Sequence, residues 1–379
     1  MILPGATLGI LGGGQLGRMF AVAARTMGYR VIVLDPDPDS PAAQCADEQI
    51  SAGFSDRQAL EQLGKRCAAV STEFENVPAD TLCFLAQFCP VRPGADAVAV
   101  AQDRITEKSY FAANGFPCAR FAVIRSREDV AQAVAGVGTP ALLKVSQFGY
   151  DGKGQARVNS VEETRAAFEE MGSAPCVLEE LLPLELEVSV VLARGADGQT
   201  AVYPVAENQH QNGILDVTIV PARIAGSLAH KATQTAVALA ERLNYCGVLT
   251  VEFFVLPGER LLINEMAPRP HNSGHYTLDA CVTSQFEQQV RALCGLPLGD
   301  TRLLTSAVMV NLLGDLWGKD APQWQHLLTH PQAKLHLYGK REARLGRKMG
   351  HYTCVGDSVE RALEMALEIK AEIPSPTTG

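Results

Sequence analysis

The sequence predicts a multidomain protein of mixed class, α/β in its N-terminal part and α+β beyond it, and three stretches carry that expectation. The first is an apolar run, Ala6-Thr7-Leu8-Gly9-Ile10-Leu11, leading straight into Gly12-Gly13-Gly14-Gln15-Leu16-Gly17. The second is a glycine-rich loop, Gly149-Tyr150-Asp151-Gly152-Lys153-Gly154-Gln155, between two short apolar runs. The third is a hairpin with one acid on each arm, Glu252 and Glu265. A chain of 379 residues exceeds one ordinary core. The expected division is 1–103, a parallel-sheet domain; 104–300, a central domain with a flap subdomain at about 115–180; and 301–379, a small α+β domain.

The first domain reads in order. After the glycine turn a helix is expected over 18–27, with Phe20, Ala23, Ala24 and Met27 on one face and Gly28 as its stop. The next strand spans 30–34 and ends at Asp35. Strand, glycine turn, helix, strand and acid outline a Rossmann-like βαβ unit. That outline brings a backbone close to a phosphate without requiring a nicotinamide, so an NAD-dependent oxidoreductase is one reading of this end. A strand at 68–72 precedes Glu73-Phe74-Glu75. Those acids sit either where open α/β sheets bind ligands or in a solvated turn. Val91-Arg92-Pro93-Gly94 is expected as the last strand here, before a helix containing Asp103 to Lys108.

In the central region a helix is expected at 126–134, a strand at 141–144 ending in Lys144, a helix at 161–171 and a strand at 176–182. The loop between Lys144 and Gln155 lacks the Gly-Lys-Ser/Thr ending of a Walker motif. Its glycines allow a sharp turn and its free N–H groups an anion-binding concavity, so it reads as a flap over nucleotide phosphates or as a polar surface hairpin. A hairpin follows over 185–205, then a helix at 231–243. In the acid-bearing hairpin, Leu249, Val251, Phe253 and Val255 share one face and Glu252 the other. With Pro257 and Gly258 as the turn, Glu252 falls opposite Ile263, and Glu265 is its diagonal neighbour. Two such acids hold Mg²⁺, or lie solvated on a wet face. Pro268-Arg269-Pro270-His271-Asn272-Ser273-Gly274-His275 follows, a donor-rich run suited to an anionic substrate. Each histidine taken singly also reads as an ordinary satisfied one. Strands at 306–312 and 334–338, a basic turn and a helix at 358–369 complete the chain.

Hydrophobic content of 47% with 20% charged residues marks a globular chain. The net charge of −9 argues against a nucleic-acid partner. No apolar run reaches membrane-spanning length, and the first residues lack a secretory pattern. The 10 cysteines form no Cys-x-x-Cys pair and are expected as buried, reduced thiols, which suits the cytoplasm.

Taken together, these motifs resemble the ATP-grasp superfamily and, within it, the 5-(carboxyamino)imidazole ribonucleotide synthetases. The resemblance spans nearly the whole chain, from Gly12 to Gly17 through Gly149 to Gln155 and the 268–275 run to Gly346-Arg347-Lys348-Met349-Gly350-His351. It implies an ATP-grasp fold and an ATP-dependent carboxylation of aminoimidazole ribonucleotide by bicarbonate, through carboxyphosphate, in purine biosynthesis. Another ATP-grasp carboxylase or ligase is the nearest alternative. For ATP it implies Arg104, Lys144, the loop residues Gly149, Tyr150, Asp151, Gly152, Lys153, Gly154 and Gln155, then Glu179, Glu180, Leu181, Leu182, Glu187, His210, Asn264 and Glu265. For Mg²⁺ it implies Glu252 and Glu265. Many superfamily members carry a third metal ligand two residues after the second acid; Ala267 stands there, and alternation turns Asn264 to the opposite face. Catalysis falls to Arg269, His271, Asn272, Asp151 and Lys153. The ribonucleotide falls to Gly14, Gln15, Leu16, Glu73, Tyr150, Asp151, Arg269, His271, Asn272 and Ser273. Its phosphate falls to Lys340, Arg347 and Lys348, a cluster that otherwise reads as a solvated basic loop. The resemblance also implies a homodimer.

Overall fold

The computed structural model describes residues 1–149, 154–318 and 321–373; Tyr150, Asp151, Gly152 and Lys153 lie outside the described residues. Strands β1 (Thr7–Leu11), β2 (Arg30–Asp35), β3 (Glu48–Ser51) and β4 (Ala69–Thr72) form a parallel sheet in the order β3-β2-β1-β4. Both faces are covered, as parallel sheets require. Leu8, Ile10, Val31 and Val33 pack on Phe20, Ala21 and Ala24 of the helix Gln15–Thr26. Leu11, Ile32, Leu34 and Val70 pack on Leu60, Leu63, Leu82 and Leu85 from the other side. Each fully buried side chain of this kind contributes about 1.5–3 kcal/mol. The strand expected at Val91 is a single bridge to Val70, because Pro93 has no N–H to extend a ladder.

The small sheet, β5 (Phe121–Ile124), β6 (Ala141–Val145), β7 (Gln155–Val158) and β8 (Cys176–Glu180), is antiparallel in the order β5-β8-β6-β7. Ala141, Leu143, Cys176 and Leu178 face the helices Asp129–Val137 and Val161–Glu170. Alternation then turns Lys144 and Glu179 to the other face.

The large sheet comprises, among the described residues, β9 (Leu186–Arg194), β10 (Thr200–Val202), β11 (Ala206–Gln211), β12 (Ile214–Val220), β13 (Gly247–Leu256), β14 (Arg260–Ala267), β15 (Ser306–Leu313), β16 (Ala333–Leu337) and β17 (Lys348–Gly356). Its order is β14-β13-β9-β11-β12-β15-β17-β16, with β10 beside β9. Strands from both sides of residue 300 thus share one sheet. Val188, Val190, Leu249, Val251 and Phe253 pack on Leu228, Ala232, Ala236 and Leu239 of the helix Gly226–Arg242. The opposite face keeps Glu187 and Glu252. The ten cysteines are unpaired; Cys83 is exposed, contrary to expectation, because it lies on the solvent side of the short helix Ala79–Leu85.

The helix Gln15–Thr26 starts close against the preceding turn. A methyl group on Gly17 would run into the Gly12 carbonyl oxygen, whereas one on Gly53 meets nothing within 4 Å. Gly17→Ala is therefore expected to lower the unfolding free energy by about 1–3 kcal/mol, an overpacking cost. Gly53→Ala should cost nothing. Urea titration of the two variants checks this, and equal midpoints would contradict it.

Candidate active site

A cleft of about 710 Å³ is lined by residues from all three sheets. Lys144 and Gln155 come from the small sheet, and Glu187, His210, Glu252, Glu265 and Lys348 from the large one. Gly14 and Glu73 come from loops of the parallel-sheet domain, and Gln15 and Leu16 open its helix Gln15–Thr26.

The acid-bearing hairpin differs from its expected register. Its loop is 257–259, with Glu259 in the left-handed region at φ 57°, so Leu256 pairs with Arg260. Phe253 pairs with Ile263, but Glu252 pairs with Glu265. Asn264 is thus the extra residue of a β-bulge, which breaks the simple alternation. Glu252 and Glu265 stand directly opposite, not diagonal. Asn264 lines the same cleft instead of turning away. Its buried Oδ1 has no hydrogen-bond partner among the described residues. Two carboxylates and an amide oxygen together fit a hard, oxygen-seeking dication such as Mg²⁺.

The pair is electrostatically uneven. Burial, then the charge of Glu265, push the Glu252 carboxyl up to about 8. Burial pushes Glu265 the same way, but Arg104, Lys144 and Lys108 outweigh it and hold Glu265 down at about 2. Arg104 Nη1 lies 2.8 Å from Glu265 Oε2. His271 Nδ1 accepts from the Ser273 N–H at 3.3 Å, which leaves the ring proton on Nε2, 3.1 Å from Glu252 Oε1. Burial, with Arg269 and Lys348 nearby, keeps His271 well below the usual histidine range.

The cations arrive on one helix face. Asp103 caps the helix Arg104–Ala113 by accepting from Thr106 N at 2.9 Å. Arg104, Glu107, Lys108 and Phe111 then follow at helical spacing. Glu107 accepts from Met266 N at 2.7 Å. Lys108, fully buried, donates to the Asn264 carbonyl at 2.8 Å and lies 3.5 Å from Glu179. Lys144 reaches the same Glu179 oxygen at 3.0 Å. Burial opposes the charge on Glu179, but Lys108, Lys144 and Arg104 hold it at about 2. Its other oxygen is buried without a partner among the described residues.

The glycine turn holds an internal anion. Glu73 accepts from the N–H groups of Gly14 and of Leu16, the latter at 3.1 Å. Gly13 N donates to Asp35 at 2.7 Å. A Cβ on Gly12, Gly14 or Gly17 would crowd the Glu73 side chain. The helix N-terminus, where a dinucleotide would place its pyrophosphate, is therefore taken by a carboxylate that would repel one. This removes the nicotinamide reading.

The 268–275 run is anchored on every side. Arg269 Nε meets Glu75 at 2.5 Å. Asn272 and Asn311 exchange reciprocal amide bonds at 3.0 and 2.6 Å. Ser273 accepts from Ser189 at 2.8 Å, and Gln285 bonds the His271 backbone through both ends of its amide. His275 is fully buried with Nδ1 on Gln285, so it supports the run from below. In the basic turn, Lys340 bonds Gln15 and the Lys348 carbonyl, while Arg347 turns to the Glu342 carbonyl at 2.8 Å.

The cleft thus gathers Arg104, Lys144, Gly149, Gln155, Glu187, His210, Asn264, Arg269, His271 and Asn272 around the acid pair, with Lys348 at its edge. Gly154, Glu179, Glu180, Leu181, Leu182, Ser273, Lys340 and Arg347 stand behind or beside that lining. Glu75 is one of the two acids expected past the 68–72 strand, whereas Gln102, Glu107, Lys108, Gln285 and Asn311 were not foreseen. The 104, 107, 108, 111 spacing could have revealed two of them. No helix among the described residues is long and apolar enough to cross a membrane.

Comparisons with known proteins agree along the chain. An ATP-grasp domain model matches residues 109–286, a ribonucleotide synthetase preATP-grasp domain model 5–102, and a phosphoribosylaminoimidazole carboxylase C-terminal domain model 307–365. The N5-carboxyaminoimidazole ribonucleotide synthase of Bacillus subtilis is 45% identical over 353 residues, covering 93% of this chain and 92% of that one. An ADP complex of an N5-carboxyaminoimidazole ribonucleotide synthetase superposes with a TM-score of 0.92 at 44% identity, covering 98% and 97%. The Aspergillus clavatus enzyme, solved with ADP and 5-aminoimidazole ribonucleotide, gives 0.88 at 30% identity, covering 97% and 99%.

The raised Glu252 carboxyl has a consequence for stability. The folded, metal-free protein keeps this proton up to about pH 8, whereas the ordinary value is 4.5. Between those limits the native state holds the extra proton, so this group's stabilisation is present at low pH and lost as pH rises through about 8. Glu252→Gln should flatten that loss. Urea midpoints with chelator, from about pH 5 to about pH 9, should converge or cross for the two proteins; parallel curves would contradict the assignment.

Proposed function

This chain belongs to the N5-carboxyaminoimidazole ribonucleotide synthase family of ATP-grasp ligases, and we propose that it carboxylates 5-aminoimidazole ribonucleotide with bicarbonate in an ATP- and Mg²⁺-dependent reaction. The observation that carries this reading is the opposed pair Glu252 and Glu265, flanked by Arg104 and Lys144 on one side and by the 268–275 run on the other. A bicarbonate oxygen attacks the γ-phosphorus and the bond to ADP breaks, giving carboxyphosphate. Carboxyphosphate releases phosphate and CO₂, and the 5-amino group takes up the CO₂ and loses a proton, giving the carbamate.

The chain's own groups position and neutralise. Arg104 and Lys144 lie where the nucleotide's phosphates would enter. Glu187 and His210 take the ribose end, and Glu179 holds Lys144 and Lys108 in place behind the lining. Glu252, Glu265 and Asn264 would hold Mg²⁺, which when bound offsets phosphate charge. His271 donates its Nε2 proton to Glu252 and orients it, and Asn311 keeps the Asn272 amide aimed. Glu73 faces the ribose and imidazole of the ribonucleotide; Lys340 and Lys348, with Arg347 behind them, take its phosphate. A cytoplasmic homodimer belongs to the same reading.

ATP hydrolysis should rise when 5-aminoimidazole ribonucleotide and bicarbonate are both present. A charge-assisted hydrogen bond contributes about 1.5–3 kcal/mol, so Lys340→Ala should raise KM for the ribonucleotide roughly 10- to 150-fold and leave KM for ATP nearly unchanged. Equal rises for both substrates, or for neither, would remove Lys340 from the phosphate grip. Hydrolysis indifferent to the ribonucleotide would remove the reaction itself.

A further inference from the structure

Beside the opposed acids lies a second set of donors with different chemistry. Glu187 on β9, His210 on β11 and Glu252 on β13 come from three neighbouring strands, in the order β13-β9-β11. One donor atom from each lies within 4.8 Å of the other two. His210 Nδ1 is 3.3 Å from Glu187 Oε1, and the two side chains are about a quarter exposed, so an ion can reach them from the cleft.

The imidazole decides which ion this set takes. Mg²⁺ seeks oxygen and octahedral geometry. One imidazole nitrogen with two carboxylate oxygens is instead a three-ligand set for a tetrahedral, borderline ion, with bonds of about 2.0–2.2 Å and a fourth position left to water. Closing donors that already lie within 4.8 Å onto such an ion needs side-chain rotation only. Two carboxylates also balance the charge of a dication.

We propose that the nucleotide-free protein binds one divalent ion of the Zn²⁺ and Co²⁺ class through Glu187, His210 and Glu252, and that this ion excludes ATP. The exclusion rests on the placement of the nucleotide's ribose at Glu187 and His210; the ion site does not. Occupied this way, Glu252 is withdrawn from Glu265 and the ribose end is filled. The ion then acts as an inhibitor competitive with ATP, and saturating nucleotide displaces it.

The test is Co²⁺ titration of the full chain without nucleotide, followed by visible absorption and calorimetry. One equivalent should show the spectrum of four-coordinate Co²⁺ without thiolate bands. His210→Gln and Glu187→Gln should each weaken it by more than the roughly 10–100-fold typical of losing a ligand's outer hydrogen-bond partner. His326→Gln, which changes an exposed histidine on another element, should leave it intact. Circular dichroism establishes that each variant is folded, and the two variants test the site through different strands. Absence of the equivalent, or its persistence in both variants, overturns the site. With the site present, Zn²⁺ should raise KM for ATP and leave kcat unchanged; a fall in kcat alone overturns the exclusion and with it the placement of the ribose, while the ion site stands.

Discussion

Two carboxylates face each other across one pair of strands, and the rest of the cleft is arranged around that repulsion. Two like charges about 4 Å apart interact by about 4 kcal/mol at an effective dielectric of about 20. That is a large share of the roughly 5–15 kcal/mol by which a domain is stable. The fold meets it unevenly. Arg104 bonds Glu265, and Lys108 and Lys144 stand behind it, so Glu265 stays ionised. Glu252 has an imidazole N–H and holds a proton. The site is stored in a state that a dication relieves, which couples metal binding to proton release.

The same logic sets the far end of the cleft. The first βαβ unit has the turn that open sheets use to bind phosphate, but Glu73 fills it from β4's C-terminal end, 59 residues along the chain from Gly14. The glycines make room for this side chain. With the helix N-terminus satisfied internally, a bound anion must find its charge partners elsewhere. At the end of the large sheet Lys340 bonds both Gln15 of that same turn and the Lys348 carbonyl, and these two lysines are the partners proposed for it. One arm of the cleft therefore depends on residues more than three hundred positions apart.

How much of this is legible in sequence follows from what sets each feature. Strands β1, β2 and β4, the glycine turn and the two arms of the acid-bearing hairpin are written in local apolar runs and appear where expected, whereas the polar edge strand β3, Glu48–Ser51, is not announced by such a run. Strand β11, Ala206–Gln211, carries almost no apolar signal, because its polar residues serve the cleft and its place is fixed by β9 and β12. Strand β17 is hidden by Gly350 and His351 within a basic run. The Asn264 bulge is set by packing between strands, so alternation alone misplaced both Asn264 and Glu265. The supports Gln285 and Asn311 are single polar residues in apolar elements, visible only once the 268–275 run is seen above them.

The central claim is that Glu252 and Glu265, brought opposite by that bulge, act as one cation site for nucleotide phosphates. Mn²⁺ binding in the presence of ADP, followed by electron paramagnetic resonance, tests it most directly. Glu252→Gln and Glu265→Gln should each weaken the bound Mn²⁺ by about tenfold or more, while urea midpoints near neutral pH show each variant folded. Wild-type Mn²⁺ affinity in either variant would contradict the account.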